Sequence, residues 1–253
     1  MCIGSFGGLN PASRSDPHEY ICVQTIDGML SIYEYESYSM SCFLPKVLVP
    51  GPFKYVPKTD SFLTLTSHWE LESYRYQTLA TTSQRPAANS KPETTNLKHK
   101  KILPEYTYSL GEAALDIAVI DQQAPGGHTH CSILVLGERN LFCLTETCTL
   151  KFMRKFDLNP AAFCAYPIIT KQQQSQPSVH CLVATHSKLL FVHDNVKVAW
   201  AAQIDHVPVQ VAVARINSLD GVIVSLSEDG KLRCSYLGTE PAFTNREEAN
   251  NAR

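Results

Sequence analysis

Residues 132–146 read SILVLGERNLFCLTE, two short apolar runs separated by the polar turn GERN. Apolar runs of four to eight residues that end at turn residues are typical of β-strands, whereas a helix needs a 3.6-residue periodicity over ten or more. The stretch therefore predicts a β-hairpin. Because its strands lack a polar face, we expect them to be buried on both sides.

The same pattern recurs in four other segments, of which the one turning near residue 69 is the weakest match. Asp-Gly marks two of the turns, since Gly adopts positive φ at no steric cost. Turns near residues 28, 69, 140, 188 and 230 are separated by 41, 71, 48 and 42 residues. The four segments are 20–36 (YICVQTIDGMLSIYEYE), 60–80 (DSFLTLTSHWELESYRYQTLA), 179–194 (VHCLVATHSKLLFVHD) and 221–238 (GVIVSLSEDGKLRCSYLG).

The spacing predicts the architecture. The long interval contains a polar insertion at 81–100, and without it all intervals approach 40–50 residues, the length of a propeller blade with about four strands. We therefore predict an all-β fold, a β-propeller of about five four-stranded blades with almost no helix. A β-sandwich or two small barrels would also give short strands, but without a fixed period. Further strands are predicted at 38–45, 105–111, 113–121, 149–157, 196–205 and 207–217.

The predicted domain is a partial propeller over residues 1–241, followed by a tail at 242–253 that leaves the domain. Residues 3–8 are strand-like rather than a free tail, which predicts a chain cut out of a larger ring and hence an incomplete propeller. The insertion at 81–100 is rich in Gln, Pro, Ser, Thr and Lys and is expected to be mobile.

Composition narrows the function classes. The formal net charge is −2 and the pI about 6.5, so no nucleic-acid surface is indicated. No apolar run reaches membrane-spanning length and the first residues do not resemble a signal peptide, which favours a cytoplasmic protein. Nine cysteines without a C-x-x-C pair predict free thiols and no bound metal. Those in apolar runs are expected to be core residues, namely Cys22, Cys131, Cys143, Cys164, Cys181 and Cys234.

Candidate chemical sites are few. His128, His130 and Cys131 could bind a metal, but no fourth ligand is nearby and a solvated loop is favoured. Asp116 and Asp121 lie five residues apart, which places them on opposite faces of a strand, so no acid–base pair is expected. The sequence has no nucleophile elbow and no phosphate-binding loop. A Ser-His-Asp constellation stays open, because its members need not be neighbours in sequence.

Three further clusters have a structural and a functional interpretation. Residues 4–8 (GSFGG) favour a tight turn or a close strand contact, because no helix follows to bind phosphate. Residues 98–101 (KHKK) could contact acidic lipid or an acidic partner, although a solvated loop is the favoured interpretation. Most of an aromatic group is expected to pack between blades, while exposed members would suit an interface. Its members are Tyr33, Tyr35, Tyr38, Tyr74 and Tyr76.

Longer motifs, in order from about residue 3 to 241, resemble the N-terminal propeller of the parathyroid-hormone-responsive B1, or Bardet–Biedl syndrome 9, family. LGERNLFCL at 136–144 and CSYLGT at 234–239 are far more specific than a general blade pattern. The other motifs are 4–8 (GSFGG), 26–30 (IDGML), 36–38 (ESY), 43–45 (FLP), 48–52 (LVPGP), 59–64 (TDSFLT) and 72–77 (ESYRYQ).

The resemblance implies a subunit of the BBSome, a coat-like complex that carries membrane proteins into and out of cilia. It implies a scaffold without enzymatic activity or cofactor, with other BBSome subunits as partners and ciliary membrane proteins as indirect cargo. The implied location is the cytoplasm, the cilium, the ciliary base and the periphery of the ciliary membrane. Relative to the family, we expect the opening blades to be missing. A propeller enzyme, such as a glycosidase or lactonase, and a glycan-binding lectin are the alternatives.

Limited proteolysis tests the insertion. We expect the first cuts within residues 81–100, because this segment is polar and aperiodic while its flanks are strand-like. Deleting residues 82–98 should leave the melting temperature nearly unchanged. A collapsed melting temperature in the deletion variant would show that the segment is part of the packed fold.

Overall fold

A computed structural model describes residues 1–7, 19–34, 37–46, 48, 50–83, 102–123, 129–167, 179–216 and 219–236. These residues form 19 strands and one helix, arranged in five antiparallel sheets of consecutive strands. Four sheets have four strands and one has three. A meander of four antiparallel strands is the blade of a β-propeller, so the predicted all-β propeller fold is confirmed.

The first compact unit comprises the described residues up to Gly111 together with 146–148, and it holds two sheets and the helix. The first sheet contains β1 (Cys2–Gly4), β2 (Tyr20–Gln24), β3 (Met29–Glu34) and β4 (Ser37–Phe43). The second contains β5 (Lys54–Val56), β6 (Ser61–Leu65), β7 (Glu70–Arg75) and β8 (Tyr106–Ser109), with α1 (Tyr76–Ser83) between its last two strands.

The second compact unit comprises Glu112–Thr145 and the described residues from Thr149 onward, and it holds three sheets. The third sheet contains β9 (Ala114–Gln123), β10 (Thr129–Gly137), β11 (Asn140–Thr145) and β12 (Leu150–Lys155). The fourth contains β13 (Pro160–Pro167), β14 (Val179–Thr185), β15 (Leu189–Asp194) and β16 (Lys197–Gln203). The fifth contains β17 (Pro208–Ile216), β18 (Leu219–Ser227) and β19 (Leu232–Ser235).

The turns of four central hairpins have the same conformation, which the sequence repeat did not reveal. A Ser or Thr carbonyl accepts a hydrogen bond from the backbone N–H three residues later at 3.0–3.2 Å, and that later residue has positive φ. The φ values are +88° at Gly28, +58° at Trp69, +62° at Lys188 and +76° at Gly230. The predicted turn positions are therefore correct even where no glycine marks them.

The central strands bury both of their faces. In β14, Cys181 and Val183 pack against the third sheet, whereas Leu182 and Ala184 pack against the fifth. Alternate residues of a strand point to opposite sides, so a continuous apolar run can fill two cores at once. Neighbouring sheets within the second unit therefore pack face to face through β14.

The first unit is tied together by aromatic packing and one buried carboxylate. Phe6 meets Phe62 edge to face with ring centroids 4.8 Å apart. Asp60 accepts hydrogen bonds from the Gly7 N–H at 3.0 Å and from the Tyr55 hydroxyl at 2.8 Å. A Cβ on Gly4 would lie 2.6 Å from the Tyr55 ring. Gly4 and Gly7 thus mark a close strand contact and a turn, the interpretation favoured for this motif.

The helix corrects two predictions. Residues 76–80 were expected to continue a strand and 81–83 to begin the insertion, but both belong to α1. Tyr76 and Leu79, three residues apart, pack against the core of the first unit.

Residues 84–100 of the insertion, like the tail at 242–253, lie outside the described residues. No helix of the described chain is long and apolar enough to cross a membrane.

Two strands and one cysteine were missed or misjudged. β5 and β13 were not predicted; β13 begins and ends with proline and contains three alanines, residues that are depleted in strands.

Cys234 was expected in the core, but it is exposed in the edge strand β19. Cys22, Cys131, Cys143 and Cys181 are buried as predicted. Burial raises the pKa of the Cys181 thiol to about 12, so this thiol is protonated at neutral pH.

The motif LGERN has a structural role. The Glu112 carboxylate accepts hydrogen bonds from the backbone N–H of Arg139 at 3.1 Å and of Asn140 at 3.0 Å, and from the Asn140 side-chain amide at 3.1 Å. A Cβ on Gly137 would lie 2.7 Å from Cδ of Glu112. A side chain at position 137 would therefore have to displace the carboxylate that closes the turn directly over it.

Substituting Gly137→Ala tests this role. The new methyl group should displace the Glu112 carboxylate from its three donors, which we expect to cost about 1–3 kcal/mol of unfolding free energy. Urea denaturation measures the loss. In a Glu112→Ala background the same substitution should cost much less, because the obstructing side chain is gone. Equal costs in both backgrounds would contradict the explanation.

Candidate functional site

The residues considered as candidate sites from sequence do not come together. Asp116 and Asp121 both lie on β9, where Asp116 is opposite Leu136 and Asp121 is opposite Cys131. His130 is exposed while its neighbour Cys131 is buried. His128 and the basic cluster 98–101 lie outside the described residues. Within the described part of the chain, no three His, Cys, Asp or Glu side chains form a group that could hold a metal ion.

The aromatic group divides as expected between packing and exposure. Tyr74 is buried, and Tyr76 packs against the core of the first unit. Tyr38 is exposed and meets Tyr33 edge to face with ring centroids 5.9 Å apart. Tyr35 lies outside the described residues. Tyr38 therefore adds an aromatic surface to the edge strand β4.

The buried polar network of the first unit also involves a tyrosine. The Tyr74 hydroxyl donates to Glu72 at 2.6 Å, and the Lys46 ammonium lies 2.7 Å from the other oxygen of the same carboxylate. Lys46 also pairs with Glu70 at 2.6 Å. The hydrogen bonds to Glu70 and Glu72 raise the pKa of Lys46. Each charge of this network has a partner of opposite charge, which offsets the cost of burying Glu72.

A hydrogen-bonded chain of Ser225, His206 and Asp205 lies in the second unit. The Ser225 hydroxyl oxygen is 2.9 Å from Nε2 of His206, and Oδ1 of Asp205 is 2.7 Å from Nδ1 of the same ring. This order of groups is that of a nucleophile, a base and an orienting acid. The sequence could not reveal it, because Ser225 is 19 residues from His206 and no motif surrounds it.

The surroundings of these three hydrogen-bonded side chains do not favour nucleophilic catalysis. Ser225 is buried within β18 and lies opposite Val211 and Arg233 in the two adjacent ladders, so the backbone N–H groups around it belong to the sheet. Asp205 is 75% exposed and forms an ion pair with Arg233. Hydrogen bonds from His206 and Arg233 hold the pKa of Asp205 at about 2. Its charge is therefore shared with the Arg233 guanidinium.

A cavity of about 110 Å³ in the second unit has a different character. Its wall includes Arg154 of β12 and His193 of β15, with Thr185 beside them. His193 is only 1% exposed, and Phe156 meets its ring edge to face at 5.5 Å. Neither ring nitrogen of His193 has a hydrogen-bond partner, and the Nε of Arg154 also lacks one. Each such buried polar group costs about 1–3 kcal/mol.

The charge state of this wall follows from burial. Desolvation, and then the nearby positive charge of Arg154, lowers the pKa of His193 to about 4. The ring is therefore neutral at pH 7 and carries one N–H donor and one acceptor. Arg154 stays charged and donates a hydrogen bond to the Val196 carbonyl, which orients its guanidinium. The inner wall presents one positive charge with N–H donors that have no protein acceptor.

The chain is similar in sequence to one family of known proteins. The family model for the PTHB1 N-terminal region matches residues 1–241. Protein PTHB1 of Homo sapiens is 40% identical over 246 residues, covering 96% of this chain and 26% of that protein. Protein PTHB1 of Xenopus laevis is 40% identical over 243 residues, and the pthb1 homologue of Caenorhabditis elegans is 25% identical over 234. The chain spans about a quarter of the length of these relatives.

Solved structures are more distant. Crystal structures of BBS1N in complex with ARL6DN, soaked with mercury or with lead, match with a TM-score of 0.46 and 11% identity. The match to the mercury-soaked structure covers 89% of this chain and 77% of the BBS1N chain. The family assignment depends on the sequence matches, because the family model takes in 241 of the 253 residues. The chain belongs to the PTHB1 N-terminal family.

Proposed function

We propose that the chain is a non-catalytic protein-interaction scaffold of the BBSome type, which takes part in ciliary membrane-protein trafficking and cilium assembly. The observation that carries this proposal is the match to PTHB1 proteins at 40% identity over 96% of the chain. The family resemblance implies other BBSome subunits as partners, and ciliary membrane proteins as indirect cargo. It also implies a place in the cytoplasm, at the ciliary base and along the ciliary membrane.

The extent of the module is part of the proposal. The family model spans residues 1–241, which supports one functional region with the boundary predicted from sequence. The net charge of −2 supports proteins rather than nucleic acid as partners.

The edge strands supply surfaces that suit protein partners. Large apolar side chains are exposed on the last strand of four sheets: Phe43 on β4, Met153 on β12, Val198 on β16 and Leu232 on β19. The central strands, by contrast, are buried. Aromatic residues and methionine are more frequent in protein interfaces than on the rest of a protein surface. Blades built this way keep their packing inside and offer apolar contacts at their edges.

A hydrolase is the second candidate, because Ser225, His206 and Asp205 form the hydrogen-bonded chain described above. Three features weigh against it: the burial of Ser225, the exposure of Asp205 and the ion pair with Arg233. Backbone N–H groups for an oxyanion would also have to leave the ladders beside β18. A structural role for these three hydrogen-bonded side chains is favoured, because they link the residues before β17 to β18.

A fluorophosphonate probe separates the two candidates. Such reagents label a serine whose hydroxyl is activated by a neighbouring base, so we expect no adduct on Ser225. Intact-mass measurement after incubation with the probe provides the readout, with an authentic serine hydrolase as the positive control. An adduct that disappears in Ser225→Ala would establish an activated nucleophile and refute the non-catalytic proposal.

Affinity capture tests the scaffold itself. The tagged 253-residue chain, expressed in ciliated cells, should enrich other BBSome subunits over a tag-only control in mass spectrometry. Replacing Phe43 and Met153 with Asp should reduce the recovery several-fold, because each charge removes an exposed apolar contact without entering the core. Ser41→Asp on β4 is the matched control for added charge. A folded chain that enriches no BBSome subunit would contradict the proposal.

A further inference from the structure

The cavity beside β12 and β15 has room for the end of a side chain. Its volume of about 110 Å³ is well above the roughly 10–15 Å³ that a single water molecule requires in this measure, so a group of several non-hydrogen atoms can enter. A carboxylate with one or two methylene groups fits within it.

The inner wall favours an anion that accepts two hydrogen bonds. Arg154 has a buried Nε–H and His193 a ring N–H, and neither has an acceptor within the protein. The Val196 carbonyl accepts a hydrogen bond from another nitrogen of the guanidinium. A carboxylate has two oxygens and matches such a pair of donors, and its charge complements that of Arg154.

The rim favours an occupant that is part of a polypeptide. Leu158 and Val198 line the mouth and are 37% and 44% exposed, an apolar surface that a free small anion would leave in water. Lys155 and Asp157 also line the cavity, but both are exposed and opposite in charge, so they largely cancel and are screened by salt. The unbalanced charge of the site is that of Arg154.

We propose that this cavity binds the acidic side chain of a Glu or Asp in a partner protein segment, whose flanking apolar residues cover Leu158 and Val198. The proposal builds on the scaffold function, since it names one chemical feature by which a partner is recognised. Arg154 supplies the charge, and His193 supplies the second donor. The apolar rim makes a peptide a better ligand than the same carboxylate free in solution.

A tripeptide pair tests the pocket directly on the full chain. We expect Ac-Val-Glu-Leu-NH₂ to bind saturably and to shift the NMR signals of the Arg154 Nε–H and the His193 ring. Ac-Val-Gln-Leu-NH₂, of the same shape without the charge, should bind at least 10-fold more weakly. Free propionate should also bind at least 10-fold more weakly than the Glu peptide. Equal affinity for propionate would leave a small-carboxylate site and overturn the peptide assignment. Equal binding of the Gln peptide would overturn the role of charge.

Variants locate the interaction. Arg154→Gln should weaken binding of the Glu peptide at least 10-fold, whereas Lys155→Gln should change it less than about two-fold. Because Arg154 is partly buried, a second pair avoids the core: Val198→Glu should weaken binding several-fold by repulsion at the mouth, and Val198→Lys should not. Unchanged affinity in Val198→Glu and Arg154→Gln would refute the site.

The capture experiment distinguishes this proposal from the scaffold function. If BBSome subunits are recovered equally by the wild-type chain and by Arg154→Gln, the scaffold stands and the pocket is not the partner site. If no subunit is recovered by the wild-type chain, the scaffold proposal fails, and the peptide titration still decides whether the cavity binds an acidic side chain.

Discussion

Burial of both faces of the central strands is the constraint on which the rest of the structure depends. All five residues of β6 are buried, as are six of the seven in β14. A strand of this kind cannot lie at a surface, so each central hairpin needs an apolar neighbour on either side. Within each unit the sheets meet face to face for this reason. The edge strands carry no such requirement and are free to expose apolar side chains to partners.

The same constraint explains the polar groups inside the blades. A polar atom in a doubly buried strand must find its partner within the sheet or from the neighbouring one. Thr64 of β6 donates to the side-chain oxygen of Gln24 at 2.8 Å, and Glu72 of β7 is matched by Tyr74 and Lys46. Two histidines depart from this pattern: neither ring nitrogen of His193 of β15 has a partner, and Nδ1 of His180 of β14 has none. Of the two, His193 lines the cavity.

The sequence predicted the hairpins well and their surroundings less well. Gly28 and Gly230 marked two turns, whereas Trp69 and Lys188 adopt the same positive φ without any glycine to signal it. The shared element is the Ser or Thr three residues earlier, a repeat that short windows do not reveal. Residues 76–80 were assigned to a strand and 81–83 to the polar insertion, although Tyr76 and Leu79 have helical spacing. The Ser225–His206 pair joins β18 to the residues before β17, and the Arg154–His193 wall joins β12 to β15, so pairing information is needed to find them.

In the proposed recognition, the apolar edge strands and the partly buried Arg154 contribute differently. Exposed side chains such as Phe43 and Met153 provide contact area, but apolar contacts discriminate poorly between partners of similar shape. Arg154 and His193 discriminate more strongly, because an acidic side chain supplies an acceptor to donors that have none in the free protein. A partner without an acidic group leaves those donors unpaired. In the proposed site, selectivity therefore depends on the charge of Arg154, while the apolar rim supplies the contact that holds the correct segment in place.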